Sequence, residues 1–431
     1  MIYVSSACVD ITPDRPLELG GSWSRKGPLR STGVDEAIEA NLVLFESAET
    51  RVMLLSIDAL FAGPDLAPDL AALCARQGCP MQVHALATHT HWAPMLDRGK
   101  PLLGKFDEAW YREVVRRLAG AARQALQSRR PGLILSTACR DLRGSVGRRA
   151  DIRRPVLHGR RIKRSGTLMG PNLAAPRAPA CRVSVLRHAD GSIACVLVCC
   201  ACHPADRPAR DRVSPDYVGA VRRAVRSRLG DYPVLFLQGF SGDVRAHIPM
   251  RPRLSRLVRR LMRGPVFMIP TLDEWQNWAT HVAMQVASVA DEAAECPGRP
   301  ADVLRSGEAH IPLSLILGEP GRGHCRARTL AIGDQLELFM MSAEVSAGYA
   351  PLVERLGLWP VGCLDDVYGY FPMNAQLAAG GYEVDEFRGL FGIRGRFTGD
   401  NDAAFTYLLR AARLDAQRGA EVGSSLRNRI A

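Results

Sequence analysis

The chain has 431 residues, of which 47% are hydrophobic and 23% are charged, and its mean hydropathy is −0.05. This composition excludes a disordered chain and a bundle of membrane-spanning helices, because the longest apolar run, Ala194 to Cys202, is far below the roughly 20 residues that cross a bilayer. The first residues lack the basic and apolar pattern of a signal peptide, so we expect a cytoplasmic protein.

The net charge of +12 is concentrated in two segments. Residues 140–164 carry a net charge of +8 and residues 251–263 one of +6, which leaves the rest of the chain at −2. Because the charge is localised, we do not expect nucleic acid as a partner. We interpret the first segment as part of an Arg-rich insertion at about 140–175, and the second as a basic amphipathic helix at about 252–264.

Apolar β-type segments alternate with helical patterns along the chain. Strands are predicted at 51–58, 81–87, 132–138, 182–188, 192–201, 233–238 and 335–342, and helices at 107–127, 215–229, 271–295 and 402–414. A hairpin is expected at the Ala189-Asp190-Gly191 turn. No internal repeat or long linker is recognisable. The sequence therefore predicts an α/β fold, a mixed β-sheet core flanked by helices, in a single domain spanning 1–431.

Potential metal ligands follow several of the predicted strands. His89 and His91 follow the second strand, His203 follows the fifth, and Glu344 follows the last. Ligand sites of open α/β sheets lie outside the carboxyl ends of the strands, so we expect these side chains to converge. Imidazole and carboxylate ligands suit Zn²⁺, and three protein ligands with one open position are typical of catalytic zinc. The sequence therefore predicts a zinc site.

A serine hydrolase is an alternative mechanism. Gly239-Phe240-Ser241-Gly242 follows a predicted strand, as the nucleophile of an α/β-hydrolase does. The motif requires glycine at the position of Asp243, so the match is incomplete. Nucleophilic catalysis by Ser241 stays open at this point.

Short motifs along the chain have an informative order and spacing. They are Val9-Asp10-Ile11-Thr12-Pro13, Ala87-Thr88-His89-Thr90-His91 with Pro94, Ala201-Cys202-His203-Pro204, Ser214-Pro215-Asp216-Tyr217-Val218-Gly219, Phe236-Leu237-Gln238-Gly239 with Gly242-Asp243-Val244, Gly369-Tyr370-Phe371-Pro372, and Gly380-Gly381-Tyr382-Glu383. Together they resemble the neutral/alkaline, non-lysosomal ceramidase family, in particular the catalytic domain of its shorter bacterial relatives, which lack the Ig-like C-terminal domain. The resemblance covers most of the chain.

The resemblance implies a ceramidase-like, zinc-dependent hydrolase that cleaves the amide bond of a small molecule. It implies that Zn²⁺ is held by His89, His203, Glu344 and Tyr370. Glu344 stands in Ser-Ala-Glu, where relatives usually have Pro-Gly-Glu. Tyr368 is an alternative to Tyr370, which we prefer because Gly-Tyr-Phe-Pro is the better match. An amide-forming or acyl-transfer reaction in a biosynthetic pathway is an alternative use of the same scaffold.

Four further residues receive candidate roles. His91 is a candidate for proton transfer or oxyanion stabilisation, or for orienting a ligand, and Asp243 for fixing a loop or a ligand imidazole. Arg148 lies where the family often has Asn-Arg-Arg, and Arg245 stands where ceramidases have serine after Gly-Asp-Val. The serine's absence argues against ceramide itself. Two arginines suggest a substrate with a carboxylate or phosphate, the alternative being a solvated basic loop.

The predicted helix at 252–264 has two distinct faces. Its apolar residues are Leu254, Leu257, Val258, Leu261 and Met262, and its arginines lie on the opposite face. We favour a helix whose apolar face packs on its own domain. Docking on a membrane surface or a partner, a lid and a dimer contact stay open. We expect no membrane as a partner, and the sequence does not indicate the oligomeric state.

Overall fold

The computed structural model describes residues 1–24, 27–152, 155–158, 161–175, 179–318 and 323–430. Arg153, Arg154 and Arg160 of the first basic segment lie outside these ranges. The described residues form three large β-sheets in succession along the chain. No helix among them is both long and apolar enough to cross a membrane.

The first sheet and its helices occupy residues 3–131. The elements are β1 (Tyr3–Asp10), β2 (Glu18–Ser24), β3 (Gly27–Arg30), β4 (Gly33–Val34), β5 (Glu39–Glu46), β6 (Arg51–Ile57), α1 (Leu66–Arg76), β7 (Gln82–Ala87), α2 (Glu108–Gln127) and β8 (Arg130–Pro131). The strand order is β7-β6-β5-β1-β8. Asp107 caps α2 by accepting a hydrogen bond from the main-chain nitrogen of Trp110, which fixes the start of this helix.

The second sheet and its helices occupy residues 134–300. The elements are β9 (Ile134–Arg140), β10 (Ser145–Asp151), β11 (Val156–His158), β12 (Arg161–Lys163), β13 (Thr167–Asn172), β14 (Cys181–Arg187), β15 (Ile193–Cys200), β16 (Arg212–Val213), α3 (Tyr217–Leu229), β17 (Val234–Gln238), β18 (Val244–Ala246), α4 (Leu254–Arg263), α5 (Leu272–Glu295) and β19 (Arg299–Pro300). The strand order is β17-β15-β14-β9-β19. The predicted Arg-rich insertion contains β10 to β13, of which β10 and β13 pair with each other and β10 also pairs with β18.

The third sheet and its helices occupy residues 304–430. The elements are β20 (Leu304–Pro312), α6 (Ser314–Leu317), β21 (His324–Ile332), β22 (Leu336–Met341), β23 (Glu344–Val345), α7 (Ala350–Glu354), β24 (Trp359–Val361), β25 (Tyr370–Phe371), α8 (Asn374–Ala379) and α9 (Asn401–Ile430). The strand order is β20-β21-β22-β24. β23 and β25 form a separate parallel pair.

The three large sheets share one connectivity. In each, three antiparallel strands are followed by a helix and a fourth strand that pairs in parallel with the third: β1-β5-β6-α1-β7, β9-β14-β15-α3-β17 and β20-β21-β22-α7-β24. A longer helix, α2, α5 or α9, then packs on each sheet. The structure thus repeats a unit that the sequence does not reveal, because the repeat lies in the topology and not in residue identities.

A shared core joins the three units. One apolar cluster contains residues of all three sheets, for example Val43, Leu197 and Leu338, whereas each of the three other clusters consists mainly of one sheet and its own helices. The sheets are therefore covered on both faces, which explains why strands such as β15 read as continuous apolar runs. All strands and helices predicted from the sequence are present within a few residues, the last helix being longer, and the hairpin joins β14 to β15. The α/β prediction is confirmed.

The predicted basic helix is present as α4, but its packing differs from the favoured interpretation. None of its residues is buried, and its five apolar side chains are 45% to 77% exposed. The helix ends at Gly264, which lies against Val156 of β11, outside the shared core. The expectation that the apolar face packs on its own domain is therefore wrong, because α4 follows an edge extension and not one of the large sheets.

Candidate metal centre

Three predicted metal ligands meet at the carboxyl ends of strands from the three different units. His89 follows β7, His203 follows β15, and Glu344 is the first residue of β23, just after β22. Their exposed fractions are only 1%, 2% and 4%. One potential ligand atom of each lies within 4.8 Å of those of the other two. The structure thus brings together side chains that are up to 255 residues apart and offers a group that could hold a metal ion.

The turn that carries His89 is held by hydrogen bonds on its amino-terminal side. The main-chain nitrogen of Thr88 donates to the carbonyl of Ile57, and its hydroxyl donates to Asp58, at 2.9 Å in both cases. Asp58 is itself bound by the buried Arg222. His89 adopts a φ of +69°, a conformation that residues other than glycine rarely adopt. This conformation turns the chain sharply at the end of β7.

Main-chain carbonyls orient both imidazole rings. Nδ1 of His89 lies 3.0 Å from the carbonyl oxygen of Leu60, and Nδ1 of His203 lies 2.8 Å from that of Ser241. Carbonyl oxygens only accept hydrogen bonds, so Nδ1 carries the proton of each neutral ring. Each Nε2 then presents a lone pair, and these atoms lie 3.2 Å (His89) and 2.9 Å (His203) from the same oxygen, Oε2 of Glu344.

The two Nε2 lone pairs and the carboxylate oxygen of Glu344 face one another, so a positive charge is needed between them. Burial by itself would raise the pKa of Glu344, but His89 and His203 outweigh it and hold that pKa well below its usual value. Burial opposes protonation of His89, yet Glu344 raises the pKa of this ring well above its ordinary value. Two imidazole nitrogens and one carboxylate oxygen are a donor set that suits zinc. The residues present therefore fit the predicted metal.

Tyr370 lies beside Glu344. The two residues are opposite each other in the parallel pairing of β25 with β23, and a hydrogen bond to Glu344 adds to the effect of burial in raising the pKa of Tyr370. The hydroxyl of Tyr368 is buried and has no hydrogen-bond partner among the described residues. The geometry thus favours Tyr370 over Tyr368, and ligation by Tyr370 stays a prediction.

His91 adjoins the candidate ligands. Its ring centroid lies 5.3 Å from that of His89, and its Nδ1 lies 3.2 Å from the carbonyl oxygen of Gly21. Its Nε2 is buried and makes no hydrogen bond with the described residues. Burial, followed by His89 and His203, lowers the pKa of His91 well below its usual value. The ring is therefore neutral, with an available lone pair on Nε2.

Arg148 is buried at the edge of the centre. Its Nε donates to Glu383 at 2.8 Å, and Arg149 donates to the other oxygen of the same carboxylate at 2.6 Å. The guanidinium also lies 5.2 Å from the ring centroid of Tyr370. Its Nη2 is buried without a hydrogen-bond partner among the described residues. After burial, Arg148 is the next largest cause that lowers the pKa of His203, so its charge acts on the site.

Asp243 fixes the loop that follows Glu344. Its carboxylate accepts hydrogen bonds from the hydroxyl of Ser346 at 2.8 Å, from the main-chain nitrogen of Ala347 at 2.7 Å, and from Gln376 at 2.6 Å. The preceding Gly242 is required by a close approach, since a Cβ atom there would lie 2.5 Å from the carbonyl oxygen of Glu344. These contacts show Asp243 as a positioning residue, and a catalytic role for it stays untested.

The guanidinium of Arg245 binds residues other than the candidate metal ligands. Its Nε donates to Asp206 at 2.7 Å, its Nη2 donates to the carbonyl of Ala205, and the guanidinium lies 5.1 Å from the ring centroid of Phe267. Asp206 lines a cavity of about 690 Å³ beside α4, and none of the three candidate metal ligands lines that cavity. The structure therefore does not bring Arg245 to the metal centre with a free guanidinium, because Asp206 compensates its charge.

The geometry does not support Ser241 as a nucleophile. Its hydroxyl accepts a hydrogen bond from Nε2 of Gln238, and its main-chain carbonyl, not the hydroxyl, faces His203. A serine nucleophile requires a base within hydrogen-bond distance of its hydroxyl. Among the described residues none of the histidines hydrogen-bonds to the Ser241 hydroxyl.

Comparisons with known proteins support the fold. Neither protein-family models nor curated protein sequences give a match. Among solved structures, the neutral ceramidase from Pseudomonas aeruginosa matches with a TM-score of 0.70 and 16% identity, over 96% of this chain and 75% of that one. A second structure, described as a ceramidase complexed with C2, matches with a TM-score of 0.62 and 16% identity, over 89% of this chain and 71% of that one. The chain has the neutral ceramidase fold.

Within this ceramidase fold, three site features were missed by the sequence analysis. The carbonyl of Leu60 orients His89, and Glu383 joins Arg148 to Arg149. Cys363 lies against His89 and contributes to raising its pKa. Glu383 stands in a motif that carried the resemblance, so a signal for it existed. A main-chain carbonyl has no sequence signal, and Cys363 was one of twelve cysteines with no distinguishing pattern.

Proposed function

We propose that the protein is a zinc-dependent hydrolase that cleaves the amide bond of a small N-acyl substrate. The observation that carries the proposal is the convergence of two imidazole Nε2 atoms on one buried carboxylate oxygen, at 3.2 and 2.9 Å. The similarity of the fold to solved neutral ceramidases favours amide chemistry. Arg245 occupies the position of the serine that we associate with ceramide, so we propose an N-acyl substrate other than ceramide.

The metal would be held by His89, His203, Glu344 and Tyr370. Zinc bound there would supply a Lewis acid for the substrate carbonyl and would lower the pKa of water. The carbonyl groups of Leu60 and Ser241 keep the two imidazole rings in the tautomer that binds metal. Tight fixation of the rings matters because it removes the need for them to reorient during turnover.

His91 and Arg148 serve the reacting groups in this proposal. Nε2 of His91 accepts a proton from the attacking water, since the carbonyl of Gly21 holds the ring proton on Nδ1. Nη2 of Arg148 donates to the oxygen that gains negative charge, since this atom is buried and without a hydrogen-bond partner among the described residues.

The charge balance of the centre favours an anionic substrate or intermediate. The buried Arg148 and the partly buried Arg149 balance the two buried carboxylates Glu344 and Glu383. A divalent cation would leave the centre with an excess of positive charge. A substrate with a carboxylate or phosphate near the scissile amide would compensate that excess, because an anion gains most where positive charge is desolvated.

The test combines metal analysis with turnover. The purified protein is expected to contain close to one zinc per chain and to hydrolyse members of a panel of N-acyl amino acids and N-acyl amines. His203→Ala should lose both the metal and at least a thousandfold of the turnover, because a ligand of a three- or four-ligand site is removed. Incubation with a chelator should abolish turnover, and added zinc should restore it.

A matched control separates this mechanism from serine catalysis. Ser241→Ala should retain its metal and most of its turnover, because among the described residues the hydroxyl is hydrogen-bonded to Gln238 and to none of the candidate ligands. Product formation from free acid and amine, with no hydrolysis of any amide, would favour the amide-forming alternative. Full turnover in metal-free His203→Ala would refute the proposal.

A further inference from the structure

The helix α4 presents an apolar face that nothing in the described structure covers. Leu254, Leu257, Val258, Leu261 and Met262 recur at the spacing of one helical face. Their exposed fractions of 77%, 55%, 45%, 54% and 55% contrast with those of the core residues, which are below 10%. A helix in a protein gains most of its stability when its apolar face is buried. An apolar helix face that the protein itself leaves exposed therefore indicates a site for an external surface.

The apolar surface extends beyond the helix. Ile162 of β12 is 66% exposed and Leu173, just after β13, is 77% exposed. Gly264, at the end of α4, lies against Val156, which is on the strand paired with β12. Leu173 and Gly264 line one shallow cavity. We call α4 together with Ile162 and Leu173 the α4 surface.

Arginines flank this surface. Residues 251–263 contain six arginines and no acidic residue. Arg256 is paired with Glu274 at 2.7 Å. Arg253, Arg259 and Arg263 are exposed, and no carboxylate among the described residues pairs with them. The α4 surface therefore combines exposed aliphatic side chains with uncompensated positive charge.

We propose that the α4 surface docks the protein on an anionic lipid bilayer. The aliphatic side chains would enter the boundary between headgroups and acyl chains, and the arginines would contact the lipid phosphates, as in other interfacial helices. Charge complementarity favours this occupant. A second copy of the chain would place two sets of arginines against each other, and a nucleic acid would leave the five aliphatic side chains of α4 in water.

Docking has a consequence for the cavity beside α4. Leu254, Leu257 and Arg260 line its helix side, and Asp206, three residues after His203, lines its inner side. The bound protein would hold this cavity of about 690 Å³ close to the bilayer. The docking proposal replaces the expectation of no membrane partner, and it does not depend on the proposed amide hydrolysis.

The test is co-sedimentation of the full-length protein with lipid vesicles. The protein is expected to bind vesicles containing phosphatidylglycerol and to bind vesicles of pure phosphatidylcholine weakly. Addition of about 0.5 M salt should release it from the anionic vesicles, because the electrostatic screening length then falls below roughly 5 Å. The double variants Leu257→Gln/Leu261→Gln and Arg259→Gln/Arg263→Gln should each lower the partition coefficient roughly tenfold or more.

Matched controls carry the same changes on other exposed helix faces. Arg112→Gln/Arg116→Gln on α2 removes the same charge, and Met284→Gln/Leu414→Gln on α5 and α9 removes similar exposed apolar area. Both controls should bind like the unchanged protein, and circular dichroism should show all variants folded.

Three results would overturn the proposal. They are no binding to anionic vesicles, equal binding by the α4 variants and the controls, and a dimer in solution that Leu257→Gln/Leu261→Gln converts to a monomer. Metal content and amide turnover, measured on the same preparations, report separately on the proposed function.

Discussion

The two arginine-rich segments look alike in sequence and differ in structure. Arg148, from the segment at 140–164, is only 3% exposed and shares the buried carboxylate of Glu383 with Arg149. Arg259, from the segment at 251–263, lies on a helix with no buried residue. One segment contributes charge to the interior of a candidate catalytic centre, whereas the other presents charge to the solvent.

This difference shows that a charge count does not assign a role to an arginine. The cost of removing a charge from water is large, so a buried arginine must be held by partners and its position is fixed. An exposed arginine pays no such cost, contributes little to folding, and is available for an external anion. The same residue type therefore serves catalysis in one segment and surface binding in the other, according to our proposals.

The largest expected effect is a difference in stability between Arg148→Met and Arg259→Met, which replace one arginine of each segment. Arg148→Met removes one of two cations from a buried carboxylate and should lower the free energy of unfolding by about 3–5 kcal/mol. Arg259→Met should change it by less than about 0.5 kcal/mol. Urea unfolding of the two variants measures both values.

A double variant serves as the control for the buried pair. In Arg148→Met/Glu383→Gln the carboxylate that lost its partner is also neutralised, so the combined loss of stability should be smaller than the sum of the single losses. Equal losses in Arg148→Met and Arg259→Met would show that burial does not distinguish the two segments.

A second prediction concerns how tightly the buried region is packed around His91. Gly21 has a φ of +73°, and a Cβ atom there would lie 2.7 Å from Nδ1 of His91. Gly21→Ala should lower stability by about 1–2 kcal/mol and turnover about tenfold or more, while the metal content stays the same. Metal analysis and steady-state kinetics measure these effects.

Gly191 provides the matched control for Gly21. Its φ of +83° imposes the same backbone cost on alanine, but a Cβ atom there meets nothing within 4 Å. Gly191→Ala should therefore lose a similar amount of stability and keep full turnover. An equal loss of turnover in both variants would mean that the effect of Gly21→Ala does not come from His91.

The smallest expected effect concerns a second buried arginine, Arg222, which pairs with Glu39 and also binds Asp58 behind the turn of His89. Burial by itself raises the pKa of Glu39, but Arg222 and Arg226 outweigh it and lower this pKa to about 2. The folded state therefore favours the ionised carboxylate. Its contribution to stability is complete above the ordinary pKa of about 4.5 and is lost as the pH falls towards 2.

Unfolding at several pH values measures this contribution. Between about pH 5 and pH 3, an interval that spans the ordinary carboxylate pKa of roughly 4, the free energy of unfolding should fall less steeply in Glu39→Gln than in the unchanged protein. Carboxylates that do not interact with Glu39 contribute equally to both proteins, so the difference reports on Glu39 together with the neighbouring Asp58, whose pKa Glu39 raises. Parallel pH profiles would show that Glu39 gains nothing from Arg222 and Arg226.

Much of the fold was predictable because its strands and helices have strong local patterns. β15 reads as a continuous apolar run, and α5 begins with a capping box of Thr271 and Glu274. β10 was missed since its buried residues alternate with arginine and glycine in a basic segment. β1 was missed because it contains serines and an aspartate, and its pairing with β5 over the full length of both strands outweighs this composition.

The candidate ligands were predictable for a different reason. Polar residues directly after apolar strands are informative in any α/β fold, and His89, His203 and Glu344 all follow this rule. The choice between Tyr370 and Tyr368 was not decided by this rule, because both lie in one short loop. The register of β25 against β23 places Tyr370 opposite Glu344.

The sequence by itself determined the long apolar strands such as β15, the long helices, the α/β class and the residue types of a candidate metal centre, since these depend on local patterns of burial and on the chemistry of single side chains. Only the tertiary structure decided that the three large sheets repeat one topology, that Arg148 is buried while Arg245 is compensated by Asp206, and that the apolar face of α4 is exposed. These outcomes depend on which distant segments meet, and the physical cost of burying a charge or exposing an apolar side chain is fixed only once the neighbours are in place.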